Sequence, residues 1–268
     1  MTDSARHAPP QRSVVALVTG ASGGIGSAIA LELARRGAQV ALHYRSNHAA
    51  AATARARLPG AGHALFAADL GDAADTARLW AEVSATIGPV DVLINNAGVY
   101  LEHAPLATDY AAWCALWRQT LATNLEGPAY LSLLAAQAMS ARAAPLEATF
   151  GRGRIVNISS RGAFRGEPDA PGYAASKAGL NALGQSLARA LAPSQIYVYC
   201  IAPGWVATDM AAAHLAGSGS AAIYAQHPLG RLSGTVEVAN AAVYCALDAP
   251  AAMTGSIIDV NGASYLRT

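Results

Sequence analysis

Seven short apolar runs punctuate the chain: Val14–Thr19, Gln39–Tyr44, Gly62–Ala67, Val90–Asn95, Arg154–Ser159, Gln195–Ile201 and Ser256–Val260. Within each run apolar residues follow one another instead of alternating with polar ones. That is the pattern of strands buried on both faces of a parallel sheet. The stretches between them, near 24–37, 47–58, 72–87, 109–140, 171–192 and 235–247, are alanine-rich and predict helices. Strands alternating with helices give an α/β fold, a doubly wound sheet with right-handed crossovers and helices on both faces.

No Pro/Gly/Ser linker and no fixed-length repeat divides the chain, so 13–268 reads as one domain. Residues 1–12 hold Pro9 and Pro10 but no apolar run, and read as a frayed tail and not a secretory signal. Two segments depart from the regular pattern. Ala141–Arg152 is a long connector, expected to be a surface loop. Asp209–Arg231, rich in Ala, Gly and Ser, is either a plain surface loop or a lid over a ligand crevice.

Composition narrows the function classes. Of 268 residues, 53% are hydrophobic and 13% charged, and the net charge is +1. So low a charge, with no Lys/Arg cluster, argues against nucleic acid as a partner. No apolar run is long enough to span a bilayer, so no membrane role is expected. Much hydrophobicity with little charge suggests that other subunits cover part of the surface. Cys114, Cys200 and Cys245 are widely spaced and odd in number. They read as small buried hydrophobes in a reducing cytoplasm, with neither a disulfide framework nor a metal site.

The first candidate chemistry is the turn Thr19-Gly20-Ala21-Ser22-Gly23-Gly24-Ile25-Gly26, between the first strand and the first helix. Gly20 allows a tight turn, Gly24 lets backbone approach a pyrophosphate, and Gly26 lets helix pack on strand. The free N–H groups of the helix N-terminus then face the anion. Its place in a strand–turn–helix unit makes this a nucleotide site.

This turn, with Asn95-Asn96-Ala97-Gly98 and Tyr173-Ala174-Ala175-Ser176-Lys177, strongly resembles the short-chain dehydrogenase/reductase family over residues 13–268. Further landmarks fall in register: Asp69 after the third strand, Asn124 in the long helix, Ser160 after the fifth strand, and Pro203-Gly204 with Thr208 after the sixth. The nearest likeness is to bacterial reductases of the 3-oxoacyl-carrier-protein type. The resemblance implies a single Rossmann-type domain, a seven-stranded sheet in the order 3-2-1-4-5-6-7, and commonly a homotetramer (or homodimer). It implies Asn124, Ser160, Tyr173 and Lys177 as catalytic residues. It also implies a cofactor site of Gly20, Ser22, Gly24, Ile25, Gly26, Arg45, Ser46, Asp69, Leu70, Asn96, Ala97, Gly98, Tyr173, Lys177, Pro203, Gly204, Val206 and Thr208. Asp69 and Leu70 would flank the adenine, and Lys177 would hold the nicotinamide ribose.

Tyr173 and Lys177 are four apart, hence on one helix face. A phenol ordinarily titrates near 10, and a neighbouring ammonium is expected to pull it down. Tyr173 would then give a proton to a carbonyl oxygen as hydride reaches its carbon. By the resemblance, Ser160 would donate a hydrogen bond to that oxygen, and Asn124 would keep the lysine in place. Asn is a poor helix former, so its position inside 111–139 asks for a reason.

Between Glu32 and Asp69 there is no acid to accept from the ribose 2′-hydroxyl of NAD. Arg45 instead suits a 2′-phosphate, favouring NADP(H) with NAD(H) as the alternative. No basic residue lies within Ala21–Gly23. The substrate is a small-molecule carbonyl or alcohol, a 3-oxoacyl thioester or small ketone, with the reductase direction favoured. Val99, Tyr100, Ala163, Phe164, Arg165 and Trp205 are pocket candidates; Arg161 and Arg165 either serve an anionic group or face solvent. Trp113 and Trp117 read as core or interface packing. The competing readings are a non-catalytic NADP-binding redox sensor, an NAD-dependent alcohol dehydrogenase of the same fold, and an extended epimerase or dehydratase. The last would need a further C-terminal domain.

Overall fold

In the computed structural model the apolar runs pair as one parallel sheet in the order β3-β2-β1-β4-β5-β6-β7. The structure describes residues 13–147, 149–208, 211–212 and 220–267; the tail expected at 1–12 and part of the segment 209–231 lie outside them. The strands are β1 (Val15–Val18), β2 (Gln39–Tyr44), β3 (Ala64–Ala67), β4 (Val92–Asn95), β5 (Gly153–Ile158), β6 (Ile196–Pro203) and β7 (Ile257–Val260). Every residue of β1, β4, β5 and β6 is buried, as continuous apolar runs require.

Successive strand residues point to opposite faces, and each face has its own core. Ala16, Val18, Val40, Leu42, Val92 and Ile94 pack under Ile29 and Leu33 of α1 (Gly24–Arg35) and Val238 and Ala242 of the helix Thr235–Val243. Val15, Leu17, Leu93, Ile155 and Val198 pack under three helices, α3 (Ala73–Thr86), α5 (Gly127–Ser140) and α7 (Pro171–Leu191). The remaining early helices are α2 (His48–Ala56), α4 (Tyr110–Leu121) and the single-turn α6 (Gly162–Arg165). Among the described residues no helix is long and apolar enough to cross a membrane.

Two sequence expectations need correcting. The helix expected over 109–140 is interrupted: Ala122–Glu126 forms a π-helical turn between α4 and α5. Such turns mark sites where a side chain must be re-aimed, and this one holds Asn124. The connector Ala141–Arg152 is more than a surface loop. Its Arg142 is paired at 2.8 Å with Asp91, which is fully buried. The other Asp91 oxygen accepts from the Val15 N–H at 2.8 Å, so the pair fastens the entry of β1 to that of β4.

The strand order reverses between β1 and β4, each pairing in register at Ala16 with Val92. In open α/β sheets the crevice for a ligand lies outside the carboxyl ends of the strands at such a point. Here those ends are Thr19–Gly26 and Asn95–Gly98.

Candidate active site

The turn after β1 is built around its glycines. Gly20 has φ +63°, and a Cβ there would stand 2.9 Å from the Ala97 backbone. At Gly26 a Cβ would fall 2.2 Å from the Gly20 carbonyl, so only glycine lets α1 start this close to the strand. The N-cap Gly23 has no side chain to cap the helix, and the first turn carries no acid. The free N–H groups of α1 therefore face the crevice with no side-chain cap among the described residues.

Asn96 holds this turn from the other side. Its amide nitrogen donates to the carbonyls of Thr19 (2.9 Å) and Gly20 (3.2 Å), and its own N–H donates to the Thr19 hydroxyl. A residue that sequence reasoning passed over completes the clamp. His43, buried on β2, accepts from the Gly20 N–H at Nδ1 (3.1 Å) and reaches the Ala68 carbonyl with Nε2 (3.0 Å). Each bond uses one nitrogen, so the ring is a neutral Nε2–H tautomer, and burial lowers its pKa. A histidine inside an apolar strand was the only sequence signal available.

One cleft of about 380 Å³ gathers most of the expected residues. Gly20, Ser22, Gly24, Ile25, Asn96, Ala97, Gly98, Ser160, Tyr173, Lys177, Pro203, Gly204, Val206 and Thr208 all line it, as do Tyr100 and Trp205. Gly26, Asn124 and Arg165 are not in the lining. Neither are Arg45, Ser46, Asp69 and Leu70. They sit beyond it, at the ends of β2 and β3, with Arg45, Ser46 and Asp69 exposed and Leu70 buried. Phe164 turns away, stacking on Tyr265 (6.5 Å) under the Arg267 guanidinium (4.6 Å), and Val99 and Ala163 are not in the lining. Arg45 forms no hydrogen bond or ion pair among the described residues. Trp113 and Trp117 stack on each other at 6.1 Å and meet the buried His103 edge-on at 5.0 and 6.3 Å; His103 accepts from the Gly172 N–H at the start of α7 (3.0 Å).

Around Tyr173 the chain arranges three polar groups. Lys177 is 5.7 Å from the Tyr173 ring centre and donates one hydrogen bond to the Ile158 carbonyl (2.9 Å). The Ser160 oxygen accepts from the Gly162 N–H at 3.0 Å, and its hydroxyl also hydrogen-bonds the Tyr173 phenol. Asn124 is fully buried: its oxygen accepts from the Val99 N–H (2.8 Å), and its nitrogen donates to the Val99 carbonyl (2.9 Å) and the Ser176 hydroxyl (3.1 Å). Both Asn124 Oδ1 and Lys177 Nζ crowd the Gly98 α-carbon, where a Cβ would meet them at 3.2 and 3.4 Å.

A family model described as enoyl-(acyl carrier protein) reductase matches residues 20–263. The chain is 37% identical to the 3-oxoacyl-[acyl-carrier-protein] reductase FabG of Escherichia coli K12, over 94% of this chain and 97% of that protein. It is 35% identical to nodulation protein G of Azospirillum brasilense, over 92% and 96%. Among solved structures it resembles a candidate NAD(P)-dependent gluconate 5-dehydrogenase of Beutenbergia cavernae with NADP bound at low occupancy. The TM-score is 0.82 and the identity 33%, over 95% of this chain and 97% of that one. The chain belongs to the short-chain dehydrogenase/reductase family.

In this short-chain dehydrogenase/reductase the electrostatics of the pair run against the expectation from spacing. Burial pushes the Tyr173 phenol up to about 12, with Ser160 opposing and Glu167 adding to the rise. Burial also holds the Lys177 ammonium down at about 8. Dehydration is the largest cause of both shifts. The chain alone therefore keeps Tyr173 protonated.

Proposed function

We propose that the chain is an NADP(H)-dependent carbonyl reductase in which Tyr173 is the proton donor. The observation that carries this reading is the convergence of Tyr173, Ser160 and Lys177 on the cleft that also receives the uncapped end of α1. The cradle suits a dinucleotide: a pyrophosphate fits the open N–H groups, and no side chain among the described residues caps them. When bound there, a nicotinamide supplies the hydride. Arg45, at the end of β2, is the group that would pair with a 2′-phosphate, and no acid lies between Glu32 and Asp69 to accept from a ribose 2′-hydroxyl instead. The presence of NADP in the Beutenbergia relative supports the same choice, with NAD(H) as the lesser cofactor.

The protonation state supports the direction. Reduction consumes a neutral phenol, and burial keeps Tyr173 in that form through neutral pH. The Gly162 N–H holds the Ser160 oxygen beside Tyr173, and the Ser160 hydroxyl donates to the substrate oxygen and stabilises its developing charge. Lys177 spends one N–H on Ile158 and turns the others toward the cleft, to the ribose and to the Tyr173 oxygen once its proton has left. Asn124 fixes the Val99 backbone and thereby the floor under Lys177. The substrate is a small ketone or a 3-oxoacyl thioester, as the names of the FabG relatives suggest. The working form is a cytoplasmic homotetramer. The low charge fraction and the exposed Leu133 and Tyr110 on α5 and α4 support subunit contacts there.

The test is the loss of NADPH absorbance on adding a panel of ketones and 3-oxoacyl thioesters. Turnover of at least one carbonyl compound is expected. Tight NADPH binding with no turnover of any member would contradict the reading and favour a redox sensor.

A further inference from the structure

The residue directly after Ser160 is a buried cation that forms no ion pair among the described residues. Arg161 leaves the end of β5 with its N–H bonded to the Pro203 carbonyl (2.8 Å), which fixes its backbone against β6. Its side chain is 2% exposed and lines the cleft beside Ser160 and Tyr173. The guanidinium donates to the Gln226 side-chain oxygen at 2.8 Å and, weakly, to the Ser264 carbonyl at 3.5 Å. Arg165 donates to that same Gln226 oxygen, also at 2.8 Å. Two guanidinium groups thus share one neutral amide oxygen, their donor nitrogens at most two hydrogen-bond lengths apart.

This arrangement is electrostatically incomplete. A buried cation is costly unless an opposite charge and full hydrogen bonding compensate it. A neutral amide gives each guanidinium one bond and no charge. Arg161 responds as an uncompensated cation: burial, and then the charge of Arg165, bring it down to about 10, against a smaller pull from Glu167. Glu167 lines the same cleft but is aimed at Gly162, where a Cβ would meet its oxygen at 2.6 Å. It makes no ion pair with either arginine among the described residues. What would satisfy both forks is an anion with two or three oxygens in the place of the Gln226 amide. Gln226 can yield that place, being half-buried and just beyond the short exposed helix Ser220–Ala225. The anion cannot be the cofactor's pyrophosphate, whose cradle is at Gly20–Gly26, or its 2′-phosphate, which Arg45 would take.

We propose that Arg161 and Arg165 form an anion-recognition pair and that the physiological substrate carries a carboxylate or phosphate as well as its carbonyl. The specificity claim rests on the reading of this cleft as a carbonyl-reduction site; the anion site itself does not.

The experiment has two readouts. The first is calorimetric titration of pentanoate, and separately of inorganic phosphate, into the enzyme saturated with NADP+. The second is kcat/KM for matched pairs: 4-oxopentanoate against its methyl ester, and hydroxyacetone phosphate against hydroxyacetone. The parent is expected to bind at least one anion and to prefer the charged member of the corresponding pair. Arg161→Gln should weaken that binding and collapse the preference roughly ten- to a hundredfold, the scale of a charge-assisted hydrogen bond. The exposed Arg165→Gln, which places no demand on folding, should do so to a smaller degree. Gln226→Ala should preserve or tighten anion binding, because it clears the place the anion takes. A parent that binds neither anion, or charge preference and anion binding that survive both arginine changes, would show that the guanidiniums only strap Gln226 and Ser264 and overturn the proposal. Arginine-dependent anion binding with no carbonyl reduced would uphold the anion site while refuting the reductase reading. Carbonyl reduction without anion binding would do the reverse.

Discussion

Lys177 is the only lysine of the chain, and it is buried. Lys177→Met removes a charge that folding must dehydrate. The fall from 10.5 to about 8, at about 1.36 kcal/mol per pH unit, sets about 3 kcal/mol against the charged form in the folded chain. The change also removes the bond to the Ile158 carbonyl, worth about 1–1.5 kcal/mol. Lys177→Met should therefore be more stable than the parent by about 1–2 kcal/mol at pH 7, while losing turnover. The pH dependence has a definite sign. The unfolded chain keeps the lysine proton up to its ordinary value, whereas the folded chain releases it near 8. The parent accordingly gains stability as pH rises from 8 toward 10.5, and the variant does not. Urea unfolding at pH 7 and pH 10, at one fixed protein concentration, reads both midpoints. The variant's advantage should vanish or reverse at pH 10. A variant clearly less stable than the parent at pH 7, or an advantage that does not change with pH, would refute the reasoning.

Arg45→Ala should narrow the preference for NADPH over NADH by about 1.5 kcal/mol, the low end for a charged hydrogen bond because Arg45 is exposed; dissociation constants for both cofactors check this. His43 has a depressed pKa in the folded chain, so the unfolded chain takes the proton first and stability should fall as pH drops below about 6.5. His43→Gln keeps a donor and an acceptor without titrating, so melting curves from pH 7.5 to 5.5 should show a smaller loss for the variant. Sedimentation at micromolar protein should show a tetramer or dimer; a monomer would contradict the proposed subunit contacts.

Much of this architecture is legible in the sequence because it is local. Continuous apolar runs mark strands buried on both faces, and a glycine turn after the first marks where α1 begins. The positions that sequence reasoning mishandled depend on partners far along the chain. Asn124 looked like an oddity inside a helix; it is explained by the Val99 backbone, which the π-helical turn allows its amide to reach. Arg142 sat in an apparent loop, and only the fold brings it to Asp91. His43 reads as one polar residue in a strand until Gly20 and Ala68 arrive on either side of its ring. The Tyr173–Lys177 spacing gave the right neighbours but the wrong sign of shift, because spacing conveys nothing of how completely the two groups are dehydrated. Phe164, likewise, could not be assigned to the C-terminal segment without knowing where Tyr265 and Arg267 end.

The central claim is that Tyr173 delivers the proton during carbonyl reduction. Tyr173→Phe removes the phenolic oxygen and keeps the ring that packs edge-on against Tyr100 at 4.9 Å, so folding and NADPH binding should survive. General acid catalysis is typically worth about 10²–10⁴-fold. The deciding measurement is the single-turnover rate of NADPH oxidation with a ketone that the parent reduces well, read beside the NADPH dissociation constant. The account predicts a rate at least about 10²-fold lower with NADPH affinity essentially unchanged; a Tyr173→Phe enzyme that turns over at the parental rate would contradict it.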